Sequence, residues 1–378
     1  MSMNSAIQKI LIVGGGFAGS TAALQLSRNG FSVDLVEIDP QWRSYGAGIS
    51  LHGSTLRVLK QLGLIERFME EGYATDGVEM RGPDDCVLVT LPTPRVAAPD
   101  LPGGGAIMRP ALAKILSEAV RASTTHVRLG LTFTDLEQDA DGVSVTFSDG
   151  SQGRYDLVVG ADGLYSAVRA KVFPHAPKPR FIGQSVWRAV LPRPEGLETV
   201  AMWMGPKLKV GMNRVTRDMV YLFLTENRDT NDHVAPETFV ATLRGLLERF
   251  PSPIIRKIAS ELSAEHRIVY RPLEQMLLPR PWSAGRVVLI GDAVHATTPH
   301  LAAGACIGIE DAMVLAEELA AGAELAGSLA AFEARRYERC RMVVENSGRL
   351  ADIEIHEGSR EEHASIMRVS MQTLAGEV

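Results

Sequence analysis

Gly14, Gly16 and Gly19 spell G-x-G-x-x-G, with Phe17 and Ala18 between the last two glycines. Each glycine has a physical task in holding a dinucleotide. The first permits a tight turn, the second lets the main chain approach a pyrophosphate, and the third lets a helix pack closely on a strand. The N-terminus of that helix attracts the anion. Glu37 ends the next strand-like run, where a carboxylate accepts hydrogen bonds from ribose hydroxyls and repels a 2′-phosphate. The fingerprint by itself serves NAD and FAD alike.

Two later segments repeat the pattern of an apolar strand running into glycine and aspartate. One is YDLVVGADGLYSAVR, residues 155–169, with Asp162-Gly163, Ser166 and Arg169. The other is VVLIGDAVHATTPHLAAGA, in which Asp292 follows Gly291. An aspartate at such a place either meets a ligand or caps a turn.

The elements that must position these groups are legible around them. Residues 9–13 (KILIV) read as a strand, 17–29 as a helix closed by Gly30, and 31–38 as the next strand, a βαβ start. Residues 54–62 carry Leu56, Leu59 and Leu62 at helical spacing, with Ser54 as candidate N-cap. Residues 78–91 read as extended, 92–105 as a proline- and glycine-rich loop, and 111–122 as a helix. Asp141-Gly142 and Asp149-Gly150 are hairpin turn dipeptides, so 127–159 predicts a small antiparallel meander leading into a strand over 155–159. Further strands are expected at 186–191, 220–224 and 286–290, and helices at 236–263, 309–319 and most of 330–375.

The chain has 378 residues, 46% hydrophobic and 22% charged, with a net charge of -6. That balance carries no electrostatic footprint for nucleic acid and no polybasic run for an anionic membrane. Three cysteines, Cys86, Cys306 and Cys340, are too few and too scattered for a disulfide framework or a zinc site. The polar stretch 1–6 has no signal-peptide layout, and no apolar run is long enough for a membrane span. The expectation is a cytoplasmic protein without a bound metal.

In its glycine fingerprint with Glu37, the GAGI stretch 46–49, Arg109, Asp162-Gly163, and Gly291-Asp292 with Pro299 and Gly304, the chain resembles the single-component FAD-dependent aromatic hydroxylases, the group of para-hydroxybenzoate, salicylate and 6-hydroxynicotinate monooxygenases. The resemblance implies an α/β fold: a Rossmann-like FAD-binding domain with an inserted antiparallel-sheet substrate domain and C-terminal helices. The expected division is 1–75, 105–178 and 270–345 for FAD, 76–104 and 179–269 for substrate, and 346–378 as a helical tail. It implies that Glu37 binds the adenosine ribose, that Arg43 and Arg109 lie along the FAD with Arg109 near the pyrophosphate, and that Asp292 holds the ribityl chain. Gly304 and Ala305 would offer backbone N–H groups to the flavin pyrimidine edge, where positive potential stabilises anionic reduced flavin. The Asp162 segment is linked in the family to FAD and to the nicotinamide cofactor.

The implied reaction uses NADH or NADPH and O2 to hydroxylate a small phenolic or N-heteroaromatic ring through a flavin C4a-hydroperoxide. A reductase on the same fold, or a flavin-binding protein without turnover, are the alternatives. Monomer and homodimer both remain open. His52 and His300 are the candidate proton acceptors, since imidazole titrates near the working pH; a structural histidine is the plainer role of each. Arg188, in a Trp187-Arg188 step, would face an anionic substrate, the flavin or a structural ion pair. Met202, Trp203 and Met212 would suit either a flat apolar pocket or plain core. The family pattern after Pro299 is often P-x-x-G-Q-G-x-N, with P-H-x-x-Q-G-A-C as a variant for N-heteroaromatic hydroxylases; here Ala303 stands for the glutamine and Cys306 for the asparagine, so contacts there must be mainly backbone. Ser50 occupies the position where the 6-hydroxynicotinate type carries a histidine, which puts that substrate in doubt.

Overall fold

The computed structural model describes residues 7–205 and 207–378, so the polar stretch 1–6 lies outside the described residues. Along the chain, the strands are β1 Lys9–Val13, β2 Ser32–Glu37, β3 Gly48–His52, β4 Tyr73–Thr75, β5 Val78–Arg81, β6 Val87–Leu91, β7 Gly104–Met108, β8 His126–Leu129, β9 Phe133–Gln138, β10 Val143–Phe147, β11 Gln152–Tyr155, β12 Leu157–Gly160, β13 Arg180–Pro192, β14 Val200–Gly205, β15 Leu208–Arg214, β16 Met219–Asn227, β17 Ile268–Leu277, β18 Ser283–Ala284 and β19 Val287–Leu289. The helices are α1 Phe17–Arg28, α2 Gly53–Gln61, α3 Ile65–Glu71, α4 Arg109–Arg121, α5 Ala167–Val172, α6 Phe239–Leu247, α7 Pro253–Glu261, α8 Asp292–His295, α9 Gly304–Ala320, α10 Leu325–His356 and α11 Arg360–Ala375.

A six-stranded sheet in the order β18-β19-β12-β1-β2-β8 carries the cofactor motifs. Its centre is parallel: Ile12 on β1 pairs with Leu35 on one side and Val159 on the other. The central strands β1 and β12 are largely apolar and buried: α1 lies against β1 and β2, and the small antiparallel sheet β11-β10-β9 sends Phe133, Leu136, Val143, Val145 and Phe147 into the same core. The strand expected over 155–159 is interrupted at Asp156. That carboxylate accepts the Gln8 and Lys9 amides at 2.8 and 2.7 Å, which ends β11 and starts β12.

The second large sheet, β17-β13-β16-β15-β14-β5-β6, is antiparallel except where β14 runs parallel to β5. One of its faces packs on α6 and α7 through Trp187, Ala189, Leu191, Val210, Met212, Leu222 and Leu224. Side chains alternate along a strand, so Arg188, Lys209, Gly211, Asn213, Tyr221 and Phe223 project from the opposite face. The same alternation corrects the apolar-pocket expectation: Trp203 and Met212 belong to the α6–α7 core, and only Met202 shares the other face.

Three further boundaries shift. Residues 270–277 belong to β17 in this second sheet, α10 runs unbroken across residue 346, and α2 has His52 at its N-cap position with Ser54 inside the helix.

The two halves meet at Gly48, where an added Cβ would lie 2.2 Å from a Tyr221 ring carbon. Gly48→Ala should therefore lower the thermal midpoint, at a cost of about 1–3 kcal/mol for overpacking, as calorimetry can check.

Candidate functional site

Gly14 sits at φ +103°, and an added Cβ there would lie 2.5 Å from the Ala161 carbonyl oxygen. The fingerprint turn is thus pressed against the end of β12. Gly16 is the opposite case. It is exposed, and a Cβ would find nothing within 4 Å. It is also the N-cap of α1 with no side-chain cap, so the first amides of α1 open onto a cleft. Glu37 accepts the Gly15 amide at 2.7 Å on one carboxylate oxygen and the Asp39 amide at 2.9 Å on the other. Each oxygen keeps a lone pair for a further donor.

The third motif arrives beside the first. Gly291, at φ +62°, would place a Cβ 3.0 Å from the Ala18 side chain. Asp292 is solvent-accessible, yet burial raises its carboxyl pKa against the lowering fields of His295 and Arg109. A group both accessible and desolvated lines a recess. Arg109 follows β7, with its stem 2.9 Å from where a Gly46 Cβ would sit and its guanidinium 5.0 Å from the Phe17 ring centroid. Burial lowers its pKa, and among the described residues none gives its guanidinium a hydrogen bond or ion pair. Gly304 begins α9 after Ala303, again with no side-chain cap. Two uncapped helix ends, an accessible carboxylate and an unpaired guanidinium around one cleft fit an elongated anionic dinucleotide.

Two expected ligands are engaged elsewhere. The Asp162 carboxylate accepts Ser166 Oγ and the Ala167 and Val168 amides, so its side chain caps α5 and only its backbone borders Gly14. Arg43 is half-exposed, pairs with Asp39 at 3.0 Å and lies over Tyr45. It lines a surface cleft of about 470 Å3 with Trp42, Lys114, Arg121 and Arg267, and the Trp42 indole donates to the Gly15 carbonyl at 2.7 Å.

The histidines take their plainer role. His52 Nε2 donates to the Leu301 carbonyl at 2.8 Å, and burial lowers its pKa, so the ring is a neutral tie between α2 and the 299–301 turn. The His300 ring is 1% exposed, with Nδ1 at 2.9 Å from Thr298 Oγ1 and Nε2 at 3.4 Å from Glu354. The 3-10 turn Pro299–Leu301 rolls that ring inward, where Lys209 and His363 also meet Glu354, and neither nitrogen reaches the cleft.

A different group stands between the sheet and the GAGI stretch. Tyr221 Oη lies 2.8 Å from Ser50 Oγ, which accepts Asn213 Nδ2 at 3.0 Å. Burial raises the Tyr221 pKa, while Arg188 and Arg109 pull it down. Desolvation brings the Arg188 guanidinium down to about 10, and none of the described residues offers it a hydrogen bond or carboxylate. Tyr221 and Asn213 went unnoticed in the sequence. Their only signal is that they alternate with the apolar α6–α7 face of β16 and β15.

The chain matches the FAD binding domain family over residues 8–347. It is 32% identical over 352 residues to aurachin C monooxygenase/isomerase of Stigmatella aurantiaca, covering 91% of this chain and 89% of that one. It is also 32% identical over 355 residues to 2-heptyl-3-hydroxy-4(1H)-quinolone synthase of Pseudomonas aeruginosa, covering 91% and 90%. The structure of Klebsiella pneumoniae HpxO with FAD and uric acid aligns with a TM-score of 0.80 at 25% identity, over 98% of this chain and 93% of that chain. Among the described residues no helix is long and apolar enough to cross a membrane.

Proposed function

This chain belongs to the FAD binding domain family and is an FAD-dependent aromatic monooxygenase; from that premise we propose that it hydroxylates a small planar N-heteroaromatic ring bearing an ionised or acidic oxygen, with NADH or NADPH as reductant. The observation that carries the substrate class is the desolvated, unpaired Arg188 guanidinium, on the sheet face that Tyr221 shares. A half-buried, poorly solvated cation without a partner is costly, and an anionic substrate oxygen relieves that cost. The relatives support a nitrogen heterocycle, since one carries a quinolone in its name and HpxO was solved with uric acid.

Bound FAD supplies the redox chemistry, taking reducing equivalents from the nicotinamide and activating O2. The chain's own residues do the rest. The amides of α1 receive the pyrophosphate, Glu37 the adenosine ribose and Asp292 the ribityl hydroxyls. Arg109 offsets phosphate charge, and the Gly304 and Ala305 amides face the pyrimidine edge. Gly211 has no side chain, so Phe223 lies across it as an apolar wall that excludes water; an added Cβ would lie 2.2 Å from that ring. Tyr221 hydrogen-bonds the ring oxygen, with Ser50 and Asn213 fixing its hydroxyl, and Arg188 holds the oxygen anionic.

The test is NAD(P)H oxidation and oxygen uptake over a panel of hydroxyquinolines, hydroxypyridines and phenols, with hydroxylated product quantified. Oxidation without product from any member would count against the proposal. In the same assay His300→Gln should lower the thermal midpoint yet leave the ratio of product to NAD(P)H consumed unchanged. Tyr221→Phe should lower that ratio.

A further inference from the structure

Behind Asp292 lies a fully buried chain of charges that the proposed chemistry does not use. Asp311, on α9, has no exposed surface. Its Oδ2 accepts the Gly291 amide at 2.9 Å and meets His295 Nε2 at 2.5 Å, while its Oδ1 accepts Arg336 Nε at 2.7 Å. Arg336, on α10 and equally buried, also donates to the Ile307 carbonyl at 3.0 Å and pairs with Glu310 at 3.1 Å. Glu310 in turn accepts Nε and Nη2 of Arg339 at 2.9 Å each. Burial would push the Asp311 carboxyl up, but the charges of His295 and Arg336 outweigh it and hold the group at about 2. His295, Asp311 and Cys340 could by spacing alone hold a metal ion, since their donor atoms lie within 4.8 Å of one another. Arg336 already occupies the cation position at Asp311, and a second cation beside it would be repelled.

What this chain of charges grips is the turn that presents Asp292. Gly291 is left-handed at φ +62° and packed against Ala18 and Gly308, and its amide is bonded to Asp311. We propose that Asp311, locked by Arg336, is a positioning residue for the cofactor: by holding the Gly291 amide it fixes the backbone from which Asp292 reaches FAD. This rests on the reading of Asp292 given above.

A double-mutant cycle on FAD affinity tests it, with dissociation constants from flavin fluorescence for the parent, Asp311→Asn, Asp292→Ala and the double variant. Asp311→Asn should weaken FAD about tenfold, the scale of one lost charge-assisted bond. The double variant should bind no more weakly than Asp292→Ala alone, because a residue acting through another adds nothing once that one is gone. A merely structural role would let the two losses multiply. Full multiplication, or parental affinity in Asp311→Asn, overturns the proposal. Parental affinity in Asp292→Ala overturns the reading beneath it and the proposal with it. Arg336→Lys keeps the buried charge while losing the fork, so it stands in for Asp311→Asn with the same outcomes if that variant does not fold.

Discussion

Asp292→Ala is expected to emerge from purification largely colourless, with FAD affinity about ten- to hundredfold below the parent. Asp292 projects from the Gly291 turn into a recess that already raises its pKa, so any hydroxyl it accepts is bound in a poorly solvated place. Hydrogen bonds to a charged group are worth about 1.5–3 kcal/mol, and each 1.4 kcal/mol is about a tenfold change in affinity. The variant also leaves Arg109 without the carboxylate whose field it feels. Glu37→Gln should do less, about fivefold, because glutamine keeps the shape and one acceptor. Flavin absorbance per chain after gel filtration and titration of the apoprotein measure both. If the two variants retain FAD like the parent, Asp292 and Glu37 do not contact it.

The second large effect is expected at Arg188. Arg188→Met should keep full FAD content yet lose about 30- to 3000-fold in kcat/KM for an anionic ring, since leaving one charge of a desolvated pair unmatched costs about 2–5 kcal/mol. Arg188→Lys should recover part of that, because it restores the charge without the planar fork. A neutral analogue of the same ring should lose far less in Arg188→Met, which separates charge recognition from general damage. An equal loss for anionic and neutral rings would assign Arg188 to packing instead.

The cofactor half of the site is written in short local runs. A β-branched strand, three spaced glycines and a following helix are neighbours in sequence, so residues 9–37 could be read directly, and so could Gly291-Asp292. The substrate half depends on register between strands far apart. Tyr221 reaches Ser50 only because β16 carries its apolar residues on the α6–α7 side, and no local pattern reports which side faces the GAGI stretch. His52 and His300 were singled out for proximity in sequence, but a histidine's role is set by what its ring nitrogens meet, and here these are Leu301, Thr298 and Glu354. Asp162 shows the same limit: a sequence motif does not report that its carboxylate is taken up by the first turn of α5.

The order of the six-stranded sheet also bears on how the protein is made. The glycine turn after β1 leaves a ribosome nearly 280 residues ahead of the Gly291 turn and α9 that wall it. At about 5–20 residues per second that is roughly 15–60 s of synthesis. Through that interval the nascent chain displays half a nucleotide cradle whose other wall does not yet exist. Cofactor loading therefore waits for the Gly291 turn and α9, and free FAD at that moment stabilises their docking by mass action.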